Sequence, residues 1–108
     1  MHHASNLLRA SKDKPFVLAL LADPATAEVS ARQRAILDYV TPLTLKPVSV
    51  TRDLVEALRP HGLDDAGILN VNLVASMFNW LNRVVDGLGV PLEDHMAEAA
   101  RDLGLASI

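Results

Sequence analysis

Residues 65–86 (DAGILNVNLVASMFNWLNRVVD) constrain this chain more than any other segment. They follow a capping Asp64, contain no proline, and end at Gly87-Leu88-Gly89. Ile68, Val71, Val74, Phe78, Leu81 and Val85 recur at helical spacing as one apolar stripe. Leu69, Leu73, Met77, Trp80 and Val84 form a second stripe beside it. A helix apolar over most of its circumference is expected to be buried on several sides. At roughly 1.5 Å per residue the segment spans about 33 Å, the width of a small domain. The expectation is therefore a long central helix with the other segments packed around it.

The rest of the chain is read the same way. Leu and Ala supply 33 of the 108 residues, and no segment has the strict alternation of a half-buried strand. An all-α fold of about five to six helices follows. Residues 2–11 read as a helix with no N-cap of its own. Asp13 can cap a short helix over 14–22, with Pro15 in its first turn, and Asp23-Pro24-Ala25-Thr26 breaks it. Ser30 caps a third helix carrying Ile36, Leu37, Val40, Leu43 and Thr44 at 3–4 spacing. Pro42 lies inside that pattern and is expected to kink the helix or end it early, and Lys46-Pro47 terminates it in any case. Thr51 caps a fourth, with Leu54, Val55 and Leu58 facing inward, stopped by Pro60 and Gly62. A last helix follows Pro91, with Glu93 and Asp94 in its first turn.

Composition then narrows the function classes. At 108 residues the chain suits one domain, 1–108, rather than two independent cores. Half its residues are hydrophobic, enough to exclude disorder. With 10 Lys+Arg against 13 Asp+Glu it lacks the basic surface of a nucleic-acid binder. A helix-turn-helix made of 51–61 and 65–86 is disfavoured too, because its recognition helix would carry a single arginine. The apolar run Phe16–Ala22 is too short to cross a membrane, and no leader is visible. A cytoplasmic protein is the default expectation. There is no cysteine, so disulfides, thiolate metal sites and thiol nucleophiles are absent from this chain.

Four histidines remain: His2, His3, His61 and His95. None belongs to an H-E-x-x-H pair, so neither a metal site nor a cofactor is expected. His61, between Pro60 and Gly62, reads as a cation at the negative end of a helix, and His95 as a solvated surface residue. Arg32, Arg34 and Asp38 read as a solvated, ion-paired face. Asn79, Asn82 and Arg83 stand out on the apolar helix, because a buried amide without a partner costs roughly 1–3 kcal/mol. They read as structural or subunit-interface groups, and Phe78 and Trp80 as core or interface packing.

Several segments, taken in order, resemble a known family. They are His2-His3-Ala4-Ser5-Asn6-Leu7-Leu8, then Ala22-Asp23-Pro24-Ala25-Thr26-Ala27, then Ser30–Tyr39 (SARQRAILDY) and Pro47-Val48-Ser49-Val50-Thr51. The most specific is Phe78–Val90 (FNWLNRVVDGLGV). Together they resemble the alkylhydroperoxidase-like branch of the carboxymuconolactone decarboxylase-like superfamily, the peroxidase-related proteins, from His2 to about Glu93. The resemblance implies an all-α domain that reduces organic hydroperoxides through a C-x-x-C-x-x-x-H motif and an upstream glutamate. One thiolate attacks the peroxide, the second thiol closes a disulfide, and His and Glu relay protons.

On that pattern His3 matches the motif histidine and His2 the adjacent one, as remnants of a proton relay. Both cysteine positions and the glutamate would precede Met1. The expectation is an N-terminally truncated domain, either from a misassigned start or from a shortened gene, without thiol peroxidase turnover. A peroxide substrate is expected only where the missing N-terminal half is present. The alternative is a non-enzymatic α-helical oligomerisation or interaction module. With the family's N-terminal helices missing, Leu69, Leu73, Met77, Trp80 and Val84 should lack cover. A homodimer or higher oligomer is therefore expected, with that stripe as its apolar centre and Asn79, Asn82 or Arg83 nearby.

Overall fold

A computed structural model describes residues 9–91 together with Leu7, Asp94, Glu98, Arg101 and Asp102. The helices among them are α1 (Lys14–Ala22), α2 (Ala31–Leu45), α3 (Arg52–Glu56) and α4 (Asp65–Leu88), with 3-10 turns at Pro47–Ser49 and Arg59–His61. No described residue lies in a strand, and the fold is all-α.

Each helix start has a local chemical cause. The side chains of Asp13, Ser30, Thr51 and Asp64 accept hydrogen bonds from the backbone N–H of Phe16, Gln33, Leu54 and Gly67. Each thereby satisfies an N–H that the first helical turn leaves without an intrahelical acceptor. At α2 the cap is reciprocal: Gln33 Oε1 accepts from the Ser30 N–H at 2.9 Å.

The chain divides into two compact units, one of residues 29–89 and one of the residues on either side of that stretch. In the flanking unit, residues 9–11 are helical and the chain turns at Lys12, whose φ is 54°. α1 follows and buries Val17. The Asp23 carboxylate accepts from the Ala25 N–H at 2.9 Å, closing the turn that ends the helix. Asp94, Glu98, Arg101 and Asp102 are helical and exposed, in the segment expected to be helical after Pro91.

The unit 29–89 has its core where α2 meets α4, α3 and the turn at 47–49. Tyr39, Leu58, Leu63 and Ile68 are buried there, with Ile36, Val40, Leu43, Leu54, Val55 and Val71 packed around them. Tyr39 is an apolar ring with a hydroxyl at its edge, and the hydroxyl accepts from Asn72 Nδ2 at 2.8 Å. α3 is shorter than its pattern suggests. After Glu56 the chain tightens into the turn Arg59–His61 and reverses at Gly62, whose φ of 84° suits glycine.

Three expectations need correction. α2 does not end early at Pro42 but runs on to Leu45 and stops at the expected Lys46-Pro47, with the Pro42 carbonyl accepting from the Lys46 N–H. The proline forfeits one N–H in the last turn, and the surrounding packing carries the helix past it. α4 passes through Gly87 and ends at Gly89, the residue in the left-handed conformation (φ 67°). Finally, α4 is not surrounded: Ile68 is its one buried residue among those described. Val74 and Leu81 of the first stripe are exposed, and the second stripe is exposed throughout, as expected of a stripe that lacks cover. The short α2 and α3 are enough to cover only one side of so long a helix.

Candidate functional site

The two motif histidines, His2 and His3, lie outside the described residues, as does His95. His61 sits half-buried in the turn Arg59–His61, its N–H bonded to the Leu58 carbonyl at 3.2 Å. Among the described residues no group of three or more His, Cys, Asp or Glu could hold a metal ion. A cavity of about 320 Å³ lies beside α1, lined by Asp13, Pro15, Phe16, Ala19 and Glu28, and two further features lie along α4.

The first of these two is a polar notch of about 160 Å³ lined by Thr44, Asn79, Asn82, Arg83 and Asp86. The extension of α2 past Pro42 is what brings Thr44 there. Its hydroxyl donates to Asn79 Oδ1 at 3.2 Å and accepts from Asn79 Nδ2 at 3.1 Å. Asn79 is therefore half-buried and partnered, while Asn82 and Arg83 are exposed. The desolvation cost that singled them out in the sequence does not arise, because that side of the helix is open to water.

The second is an apolar groove of about 370 Å³ between α2 and α4, lined by Ile36, Val40, Asn70, Val71, Val74 and Ala75. Beside it runs the stripe Leu69, Leu73, Met77, Trp80 and Val84, all exposed, continued by Leu88. Exposure rises from 39% at Val84 to 64% at Trp80 and 77% at Leu88. Lone exposed apolar residues are ordinary, but six on one helix form a contiguous patch of the kind that marks an interaction surface.

Asn72 escaped the sequence reading. It joins α4 to α2 through Tyr39 and accepts a bond from the Ser76 hydroxyl at 3.4 Å. Its position one turn beyond Ile68, on the packed side, was the available signal. Arg59 was missed as well. Its guanidinium bonds Asp65 and Glu56, each at 2.8 Å, and so ties α3 to the start of α4. The bond to Asp65 first, and then that to Glu56, raises the Arg59 pKa above its ordinary value. All three groups are exposed, which limits what the pair adds to stability.

These features offer recognition chemistry: amide, hydroxyl and guanidinium groups at the notch, and aliphatic and indole surface along the helix. A nucleophile of thiol type is absent from the sequence. Compared with models of known protein families and with curated proteins, the chain finds no match in either.

Proposed function

We propose that this chain is a peroxidase-related protein of the alkylhydroperoxidase-like family and that, as it stands, it acts as a helical oligomerisation module rather than a thiol peroxidase. The observation that carries the association is the exposed apolar face of α4, from Leu69 to Leu88. At roughly 25 cal/mol per Å², covering several hundred Å² favours association by several kcal/mol before the cost of immobilising the partners. The family half of the proposal rests on the ordered segments from HHASNLL to FNWLNRVVDGLGV. The family's reaction, reduction of an organic hydroperoxide, needs a thiolate that can be oxidised and recycled. Without cysteine, His2 and His3 can move a proton but cannot be oxidised and recycled as a thiol is. A cytoplasmic homo-oligomer belongs to the same reading.

Two measurements test it. Light scattering at micromolar concentration should return a multiple of the 11.7 kDa chain mass, and a well-folded species of 11.7 kDa would refute the association. Incubation with cumene hydroperoxide and a dithiol should give no protein-dependent loss of peroxide. Consumption that scales with protein and survives metal chelation would overturn the non-catalytic reading.

A further inference from the structure

Within the exposed apolar surface of α4, which also includes Val74 and Leu81, the second stripe continued by Leu88 is regularly spaced. Leu69, Leu73, Met77, Trp80, Val84 and Leu88 are separated by steps of 4, 4, 3, 4 and 4 residues. Each of the first three recurs 11 positions on: Leu69 at Trp80, Leu73 at Val84 and Met77 at Leu88. An 11-residue repeat averages about 3.67 residues per turn, so the ridge stays nearly straight along the helix. At about 100° per residue the six fall within roughly 100° of arc, over about 29 Å of helix. The step pattern also reads the same in both directions. Reversed end for end, the ridge superposes on its own register.

From this symmetry we infer that the partner of α4 is the α4 of a second copy, antiparallel across a two-fold axis level with Phe78 and Asn79. The inference rests on the association reading above and gives that association a geometry. In the reversed register Leu69 meets the partner's Leu88, Leu73 the partner's Val84, and Met77 the partner's Trp80. All three pairs are apolar, and the flexible Met77 thioether lies against the indole, a favourable sulfur–aromatic pair. The charged residues of α4 are Asp65, Arg83 and Asp86, none of them in the ridge, so no like-charge pair opposes the register. Antiparallel helix dipoles add to the preference. Area agrees as well. The six residues are 39–77% exposed, on the order of 600 Å² per copy, so complete burial of both ridges would reach about 1,200 Å², the lower bound for a stable interface. A two-fold contact covers both ridges at once, leaving neither free to propagate a fibre.

The absence of native cysteine makes disulfide mapping unambiguous. Leu69→Cys and Leu88→Cys are prepared separately; both positions are more than half exposed and should accept the change. Under mild oxidation neither variant should cross-link to itself, because in the reversed register its two copies lie about 28 Å apart along the axis. A mixture of the two should give a covalent heterodimer, since those positions then come within the roughly 7 Å that a disulfide spans between Cα atoms. Self-cross-linking of Leu69→Cys would mean parallel helices and overturn the inference. So would a mixture that stays uncross-linked while light scattering reports an oligomer. Leu73→Cys with Val84→Cys repeats the test one turn inward, guarding against a variant that fails to fold. A monomeric unaltered chain would instead refute the association reading itself, which separates the two failures.

Discussion

Tyr39 joins α2 to α4 at a single atom, the hydroxyl that accepts from Asn72 at 2.8 Å. The ring is 5% exposed, so water replaces that bond poorly once the hydroxyl is removed. Tyr39→Phe should lower the unfolding free energy by about 1 kcal/mol in urea, through the amide it leaves with one partner fewer. An unchanged midpoint would mean that the hydroxyl contributes nothing. Leu58 is a harsher case, being fully buried where α3 meets the core. Leu58→Ala should cost about 2–5 kcal/mol, depending on how far the site collapses around the cavity. In a unit this small, such a loss is a large part of the total stability. Leu58 was legible in the sequence as an inward residue of its helix. Tyr39 and Asn72 were not, because a tyrosine or an asparagine becomes a core residue only when a second helix supplies its hydrogen-bond partner.

Helix ends separate two glycines that look alike in the sequence. Gly87 lies inside α4 with nothing within 4 Å of the position a Cβ would take. Gly89 has the same open space but a φ of 67°. Gly87→Ala should therefore stabilise the protein by about 0.5–1 kcal/mol, by removing conformational freedom from the unfolded chain. Gly89→Ala should destabilise it by about 1 kcal/mol, because an L side chain resists the left-handed conformation. Paired thermal melts check the signs, and two shifts of the same sign would place the helix end elsewhere. The starts of the four labelled helices were legible, since Asp13, Ser30, Thr51 and Asp64 cap them through side chains three residues from the N–H they bind. The passage of α2 through Pro42 was not. Proline disfavours helix continuation by about 3 kcal/mol in isolation, and packing elsewhere in the molecule settles whether that suffices.

For the molecule as a whole, the open face of α4 is the main liability and the main resource. Trp80→Asp sets a carboxylate in the middle of that face, where association would have to desolvate it. It should shift the light-scattering mass towards the 11.7 kDa protomer while leaving helix content by circular dichroism intact, since Trp80 is 64% exposed. An oligomer that persists would place the contact on another surface. The sequence alone determined the helical class, the four capped starts and the lack of cysteine among these 108 residues. Those follow from local propensity, from bonds spanning three residues, and from which side chains exist at all. It also marked both apolar stripes of α4, yet a hydrophobic pattern records which faces avoid water and not what covers them. The bare second stripe was an expectation of the family resemblance. Only the tertiary structure decided that α2 and α3 shelter so little of α4 that Val74 and Leu81 of the first stripe are exposed too, because burial depends on how much surface the neighbouring elements can supply.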